Sequence, residues 1–285
     1  MLLLNASGCL DALAAPAVAR TLDAFVTKTV TPEPREGSPP VRIAETDHGL
    51  LNAIGLQNPG RERFLAAVLP EVVRTLARPV WVSVGGFSAG DYAETCARLE
   101  GRAGVAAVEL NLSCPNVDAA PASAAEIVAA CRAATALPLY AKLSPATWDV
   151  AETARAVEAA GADGLSLVNT IRGLALDASL RPRLARAVGG YSGPALKPIA
   201  LAAVYACRRV TKLPIVGMGG IQNGRDVLEF LAAGATHVAL GTVLFADPEA
   251  PRRIRDELAG ERLEEVFCSA HGAVALSGNQ GLRVR

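Results

Sequence analysis

A single cysteine between two asparagines is the segment of this sequence best suited to chemistry. The motif Asn111-Leu-Ser-Cys-Pro-Asn116 follows an apolar run, residues 105–110, that predicts a buried strand. Asparagine offers hydrogen-bond donors and acceptors without charge, and a thiol at a strand end can act as an acid or a base. The motif therefore predicts a site that holds a carbonyl- or amide-bearing substrate beside Cys114. The alternative is a half-buried cysteine in a proline-containing turn, which is the commoner role of such a motif on its own.

Two lysines at the ends of apolar runs are further candidates. Lysine occurs at just four positions, and arginine supplies the rest of the 28 basic residues. In a chain that uses arginine for most of its surface cations, Lys28 and Lys142 are informative because each ends or follows a predicted strand. Taken alone, either one would more often be a solvated cation at a strand end.

Glycine follows the last two apolar runs, as Gly219-Gly220 and as Gly241 before Thr242. An anion can approach backbone N–H groups closely where no side chain intervenes, and the last two strands of parallel barrels are the usual phosphate site. Together these glycines predict a phosphate site, although either one alone could belong to a tight turn.

The elements that must position these residues alternate regularly along the 285-residue chain. Eight short apolar runs, separated by amphipathic helical stretches, favour a closed α/β barrel of the (β/α)8 or TIM type over an open sheet. In such a barrel the chemistry lies at the C-terminal ends of the strands. We expect one domain over residues 1–285, with a tail from about residue 262 that we leave without interpretation. The predicted strands are residues 2–6, 24–30, 80–85, 105–112, 137–143, 164–169, 214–218 and 237–241. The predicted helices are residues 61–76, 89–99, 124–135, 149–160, 195–210, 224–233 and 248–258, with a weaker one at 11–22.

Composition excludes several classes of function. The chain has 28 basic and 28 acidic residues and no basic cluster with interleaved aromatics, which argues against a nucleic-acid partner. No apolar run reaches membrane-spanning length, so we expect a cytoplasmic protein that does not bind membranes. Six cysteines without a Cys-x-x-Cys pair predict neither a zinc site nor an iron–sulfur cluster, and we predict no metal. The three histidines, of which His237 falls in a predicted strand, suggest no catalytic role.

Together the strand-end motifs resemble those of dihydroorotate dehydrogenases, the FMN enzymes of pyrimidine synthesis, from about Asn5 to Glu261. The cysteine, where membrane-associated relatives have serine, resembles the soluble class 1 enzymes. The motif Asn52-Ala-Ile-Gly-Leu-Gln-Asn-Pro-Gly60 resembles that of type 1B, whose catalytic FMN subunit works with a second subunit. The motifs that carry the resemblance are Asn5-Ala-Ser-Gly8, Val26-Thr-Lys-Thr29, Asn52-Ala-Ile-Gly-Leu-Gln-Asn-Pro-Gly60, Asn111-Leu-Ser-Cys-Pro-Asn116, Lys142-Leu-Ser-Pro145, Val168-Asn-Thr170, Gly189-Gly-Tyr-Ser-Gly-Pro-Ala-Leu-Lys-Pro198, Gly217-Met-Gly-Gly-Ile221 and Gly241-Thr242.

The resemblance implies FMN-dependent oxidation of dihydroorotate to orotate in de novo pyrimidine (UMP) biosynthesis. Cys114 would remove the C5 proton while a hydride passes from C6 to FMN N5. Lys28 would lie near the substrate carboxylate, and Lys142 would lie by the flavin N1/O2 edge, where its charge stabilises reduced flavin. The implied substrate-binding residues are Lys28, Asn52, Ile54, Gly55, Leu56, Asn111, Asn116, Asn169 and Thr170. The implied FMN-binding residues are Ala6, Ser7, Lys28, Thr29, Asn111, Lys142, Val168, Gly193, Gly219, Gly220, Gly241 and Thr242.

The resemblance also implies a homodimer and a separate electron-transfer subunit that carries FAD and a [2Fe–2S] cluster, with NAD as the final acceptor. The sequence has no Gly-x-Gly-x-x-Gly after a strand and no cysteine cluster, so it provides neither a dinucleotide-binding unit nor iron–sulfur ligands. The competing class 1 type is a self-sufficient homodimer that reduces fumarate.

Two departures from the family pattern leave other functions open. The sequence starts almost on the first predicted strand, without the short segment that usually closes the barrel bottom. Residues 117–123 form a shorter connection than the usual loop that carries the base and acts as a lid, which could alter substrate capture or specificity. The alternatives are a related flavin barrel that acts on another dihydropyrimidine or on uridine in tRNA, and a catalytically impaired flavin-binding homologue.

Overall fold

The computed structural model of the protein describes residues 1–112, 124–146 and 149–260. Cys114 and Asn116 lie outside these ranges, as do the predicted lid and tail. Within the described residues the strands are β1 (Leu3–Asn5), β2 (Phe25–Val26), β3 (Ile43–Thr46), β4 (Gly49–Asn52), β5 (Val80–Val84), β6 (Val105–Asn111), β7 (Leu139–Leu143), β8 (Gly164–Leu167), β9 (Ile171–Leu174), β10 (Val188–Ser192), β11 (Ile215–Met218) and β12 (His237–Leu240). The helices are α1 (Pro16–Ala19), α2 (Arg61–Arg63), α3 (Leu69–Leu76), α4 (Ala89–Leu99), α5 (Ala124–Ala134), α6 (Val150–Ala159), α7 (Lys197–Arg208), α8 (Gly224–Ala233), α9 (Val243–Ala246) and α10 (Ala250–Gly260).

Eight parallel strands form a nearly closed barrel, which confirms the predicted (β/α)8 fold. Neighbouring strands are hydrogen-bonded in the order β1-β12-β11-β8-β7-β6-β5-β2. The gap between β1 and β2 is bridged by the buried amide of Asn5, whose Nδ2 donates to the Val26 carbonyl at 2.8 Å and whose Oδ1 accepts from the Val26 N–H at 2.9 Å. The Asn5 side chain thus supplies the pair of hydrogen bonds that a strand ladder would otherwise supply.

Alternation along the strands divides the apolar residues between two layers. Residues that point outward, such as Val108 and Leu110, pack under the helices in the larger core cluster. Residues that point inward fill the barrel, where the rings of Trp81 and Tyr140 lie with centroids 4.3 Å apart. Because both faces of these strands are buried, their sequences read as nearly continuous apolar runs.

A second sheet that the sequence did not predict covers one side of the barrel's C-terminal end. Strands β3, β4, β10 and β9 pair in that order, all antiparallel. The sheet joins the insertion after β2 to the insertion after β8, two segments more than a hundred residues apart. Neither segment alternates strongly enough to predict a strand on its own, because each is stabilised by its partner from the other insertion.

Two predicted helices differ from the structure. The weak helix at 11–22 is reduced to α1, which begins at Pro16, since proline is tolerated in the first turn of a helix but not inside it. The predicted helix at 61–76 contains a π-helical stretch, Phe64–Val68, between α2 and α3. Pro70 has no N–H to donate to the Ala66 carbonyl, so the α-helical hydrogen-bond pattern is interrupted here. The Leu69 N–H donates to the carbonyl of Phe64, five residues earlier, as in a π-helix.

No helix in the described ranges is both long and apolar enough to cross a membrane.

Candidate active site

A cleft of about 1140 Å³, counted with the part open to solvent, lies at the C-terminal ends of the barrel strands. Every predicted site residue that the structure describes lines this cleft. Seven of the eight barrel strands, or the loops that follow them, contribute lining residues, and β5 is the exception. The described residues of the prediction in this cleft are Ala6, Ser7, Lys28, Thr29, Asn52, Ile54, Gly55, Leu56, Asn111, Lys142, Val168, Asn169, Thr170, Gly193, Gly219, Gly220, Gly241 and Thr242. Residues to which the sequence analysis assigned no role also line it, namely Gly8, Cys9, Ile43, Leu50, Ser192, Leu196, Met218 and Phe245.

Side-chain amides and hydroxyls form a connected network across the floor of the cleft. Asn169 Nδ2 donates to Asn111 Oδ1 at 3.0 Å, and Asn111 Nδ2 donates to Thr29 Oγ1 at 3.2 Å. Thr29 Oγ1 lies 2.9 Å from Ser83 Oγ on β5. Each amide is therefore oriented by its neighbour, so the donors and acceptors that remain point in fixed directions into the cleft.

Lys142 forms a buried ion pair with Glu109 inside the barrel. Its Nζ lies 3.3 Å from Oε1 of Glu109, and the two side chains are 7 % and 2 % exposed. Glu109 does not line the cleft and was not predicted, because it occupies an otherwise apolar strand between Val108 and Leu110. An isolated charged residue in a predicted buried strand is the signal that would have found it, since such a charge requires a partner.

Lys28 lies at the opposite edge of the floor, against the loop that follows β1. A Cβ placed on Gly8 would lie 3.1 Å from Lys28 Nζ, so the loop and the ammonium group are in close contact. Gly8 also has a φ of +80°, in the left-handed region that favours glycine.

The glycine turns at one end of the cleft have the geometry of an anion site. Gly219 and Gly220 have φ of +119° and +84°, and a Cβ on Gly220 would lie 2.8 Å from Lys197 Cβ and 2.9 Å from the Gly193 carbonyl oxygen. Gly193 immediately precedes a short 3-10 turn, Pro194–Leu196, that continues into α7, so the N-terminal end of a helix faces the same region. Free backbone N–H groups and the positive end of the helix dipole favour a phosphate there.

Asp226, a buried carboxylate that the sequence analysis missed, stabilises the chain next to the Gly219-Gly220 turn. Asp226 Oδ1 accepts from Lys197 Nζ at 2.6 Å, and Asp226 Oδ2 accepts from the Gln222 N–H at 2.7 Å. The hydrogen bonds that Lys197 donates to Asp226 and, as a smaller effect, to Glu229 raise the pKa of Lys197. The turn is thereby tied to the starts of α7 and α8.

Cys9 is a cysteine that lines the cleft without a predicted role. Burial raises the pKa of its thiol, while the charges of Lys142 and Lys28 act in the opposite direction and that of Glu109 adds to the rise. The balance keeps Cys9 in the thiol form, which is a poor base and a poor nucleophile.

The residues that line the cleft are compatible with FMN in size, charge and hydrogen bonding. The cleft is large enough for a flavin together with a small substrate. Glycine turns suited to a phosphate lie at one end, and two lysines with a set of oriented amides lie where a ring system would rest. The fold and the cleft together define a (β/α)8 barrel whose cleft is suited to an anionic cofactor and a small polar substrate.

Comparisons with known proteins identify the family. The sequence model of the family described as dihydroorotate dehydrogenase matches residues 2–262. Three similar relatives are each named dihydroorotate dehydrogenase B (NAD(+)), catalytic subunit. That of Listeria monocytogenes serotype 4a (strain HCC23) is 45% identical over 261 residues, covering 86% of this chain and 85% of its own. That of Geobacter sp. (strain M21) is 45% identical over 268 residues, covering 90% and 87%. That of Trichlorobacter lovleyi (strain ATCC BAA-1151 / DSM 17278 / SZ) is 46% identical over 243 residues, covering 82% and 80%.

The chain belongs to the dihydroorotate dehydrogenase family. The resemblance inferred from the strand-end motifs is confirmed.

Proposed function

We propose that this protein is the FMN-binding catalytic subunit of a B-type dihydroorotate dehydrogenase, which oxidises dihydroorotate to orotate in pyrimidine biosynthesis. The observation that carries the proposal is the convergence of Lys28, Lys142 and the linked amides Asn111 and Asn169 on one cleft with the glycine turns. The names of the relatives support the same reaction and the same subunit type.

FMN would be held by backbone groups and by a lysine that face the cleft. Backbone N–H groups of Gly219, Gly220 and Gly241 would hold the FMN phosphate, and Lys142 would place its positive charge at the flavin N1/O2 edge. Bound FMN supplies a hydride acceptor at N5.

The substrate is held by amides and a cation. Asn52, Asn111, Asn116 and Asn169 would hydrogen-bond the pyrimidine ring and its carboxylate, with Lys28 close to the carboxylate. Asn52 Nδ2 donates to the Gly190 carbonyl at 3.2 Å, an interaction that orients its Oδ1. Fixing the ring in one orientation places its C6 hydrogen towards the acceptor and its C5 hydrogen towards a base.

The base in this proposal is Cys114, which lies outside the described residues. As a thiolate, Cys114 would accept the C5 proton on its sulfur while the hydride leaves C6. An unperturbed thiol has a pKa of about 8.5, so the rate of this step rises with pH towards that value.

Electron acceptance completes the proposal. We infer a homodimer of this chain, associated with a separate subunit that carries FAD and a [2Fe–2S] cluster and passes electrons to NAD. The relatives' names specify NAD(+) and a catalytic subunit, and this sequence contains no dinucleotide-binding motif of its own. A cytoplasmic location is part of the proposal because Cys9, Cys96, Cys131 and Cys207 are free thiols, as is usual in a reducing compartment.

The test is anaerobic mixing of the purified protein with dihydroorotate. We expect the protein to carry FMN, whose visible absorbance bleaches as orotate appears in equal amount. Absence of bound flavin would contradict the cofactor assignment. Flavin that stays oxidised in the presence of dihydroorotate would contradict the reaction and favour the impaired homologue.

A further inference from the structure

We propose that Glu109 is a positioning residue for Lys142, and that its charge limits the positive potential that the cleft floor presents to the flavin. This inference rests on the proposed FMN site and concerns a residue below that site. Glu109 is 1% exposed and has no contact with the cleft itself.

Strand geometry directs both side chains into the barrel. On β6, Val108 and Leu110 belong to the outer core, whereas Ala107 belongs to the inner cluster, so Glu109 shares the inward face with Ala107. On β7, Lys142 shares that face with Tyr140. In the register of these strands Glu109 lies opposite Tyr140 and Asn111 lies opposite Lys142. The carboxylate is therefore one layer deeper in the barrel than the ammonium group.

Burial makes the two charges dependent on each other. As whole residues Glu109 and Lys142 are 1% and 5% exposed, so little solvent reaches either charge to replace a lost partner. A buried charge without a partner is strongly unfavourable, whereas a pair 3.3 Å apart is stabilised by direct attraction. The carboxylate thus fixes Lys142 Nζ from below and leaves its upper side to the cleft.

Lys28 and Lys142 lie at the floor of the cleft and Glu109 lies below it, and the sum of the three charges affects a bound flavin. Lys28, Lys142 and Glu109 all act on the thiol of Cys9, the two lysines in one direction and Glu109 in the other. With Glu109 ionised, the three groups carry one net positive charge. Oxidised flavin is neutral in its ring, and the reduced form stabilised by Lys142 carries one negative charge. Glu109 therefore matches the floor to the charge gained on reduction and prevents reduced flavin from being held too tightly to pass its electrons on.

The test is the midpoint potential of bound FMN in a double-mutant cycle. Glu109→Gln keeps the shape and a hydrogen-bond acceptor for Lys142 but removes the negative charge. Lys142 lines the cleft, unlike Glu109, and is therefore expected to stay charged in this variant. We expect at least a tenfold higher ratio of reduced to oxidised flavin at a fixed potential, which is a midpoint about 30 mV more positive for a two-electron couple. In the Lys142→Met background a carboxyl without its cation is expected to be neutral, so the same substitution should change the ratio by less than about threefold.

A matched control separates this effect from a general loss of charge. Glu94 pairs with Arg61 at 2.5 Å on the outer helices, and Glu94→Gln makes the same chemical change away from the cleft. We expect the parent potential in that variant. If Glu109→Gln does not fold, Glu109→Asp withdraws the charge by one methylene, and we expect a smaller shift in the same direction.

The outcomes are distinct. A parent potential in Glu109→Gln, or an equal shift with and without Lys142, would overturn the role of Glu109 and leave the proposed function standing. A parent protein that binds no FMN would overturn the proposed function, and this inference with it.

Discussion

At the scale of single residues, the site is defined by side chains that orient one another. Asn111 is occupied on both ends of its amide, by Asn169 and by Thr29, while its backbone carbonyl accepts from the Tyr92 hydroxyl at 2.8 Å. The side chain therefore cannot flip without breaking two hydrogen bonds, each worth about 1 kcal/mol. A substrate that meets such a floor loses little free energy in reorganising it.

The proposed base gives the first prediction at this scale. Cys114→Ala should retain FMN but slow flavin reduction by dihydroorotate at least about a hundredfold, because a general base contributes that much or more. In the parent the reduction rate should rise with pH as the thiol loses its proton. Cys114→Ser should be slow and should also become faster with increasing pH. Stopped-flow absorbance measures the rate.

Cys9 provides the matched control for that experiment. Burial raises the pKa of Cys9, so its thiol is not expected to act as a base, and Cys9→Ala should reduce its flavin within about threefold of the parent rate. If Cys9→Ala were the slow variant and Cys114→Ala the fast one, the base would have to be reassigned.

At the scale of elements, the sequence predicted those parts whose stability is local or repeated. All eight barrel strands were expected, since a strand buried on both faces reads as an apolar run whatever its neighbours are. The predicted strand at 24–30 is the least accurate, because β2 ends at Val26 and the chain then turns into the cleft. The antiparallel sheet was missed because its two halves pair only after the barrel brings them together. Glu109 and Asp226 were missed for a similar reason, since their partners come from other elements.

The turn after β11 gives a prediction for an element. Gly220→Val should lose FMN during purification while the barrel still folds, because the new Cβ would meet Lys197 and the Gly193 carbonyl and would force a strained φ. Flavin absorbance per protein and far-UV circular dichroism measure the two effects. Gly101→Val is the control, since Gly101 also has a positive φ, +70°, but no atom within 4 Å of its Cβ position. Equal flavin loss in both variants would attribute the effect to backbone strain alone.

The start of β12 gives a second prediction for an element. His237 Nδ1 accepts from the Leu2 N–H at 3.2 Å, and burial, followed by the N-terminal charge, lowers the pKa of this imidazole. Because the unfolded chain takes up a proton near pH 6.5 and the folded chain does so at a lower pH, stability is complete above about 6.5 and falls as the pH drops below it.

Replacing His237 isolates its contribution to the pH dependence of stability. His237→Asn keeps an acceptor for the Leu2 N–H but cannot titrate, so its melting temperature should fall less between about pH 6.5 and pH 5 than that of the parent. His48 is exposed, and His48→Asn should keep the parent slope. Identical slopes in all three proteins would assign the acid sensitivity to other groups.

At the scale of the whole molecule, the position of the cleft restricts where electrons can go. The cleft lies at one end of the barrel, beneath the antiparallel sheet, and a flavin ring held among its floor residues would have limited exposure. A large dinucleotide therefore needs either a binding unit on this chain or a relay on another. The sequence contains no Gly-x-Gly-x-x-Gly after a strand and no cysteine cluster for an iron–sulfur relay.

The isolated chain should consequently oxidise dihydroorotate with an artificial dye as acceptor but reduce neither NAD nor fumarate at a comparable rate. The dye is small enough to collect electrons at the mouth of the cleft, whereas NAD would require the proposed electron-transfer subunit. Steady-state assays with each acceptor, at equal FMN content, measure the three rates, and Cys114→Ala provides the background rate for each. Rapid turnover with fumarate would overturn the partner-dependent assignment and identify the self-sufficient class 1 type. Direct reduction of NAD would require a nicotinamide site on this chain, and supplying the FAD and [2Fe–2S] subunit would then add nothing to the rate.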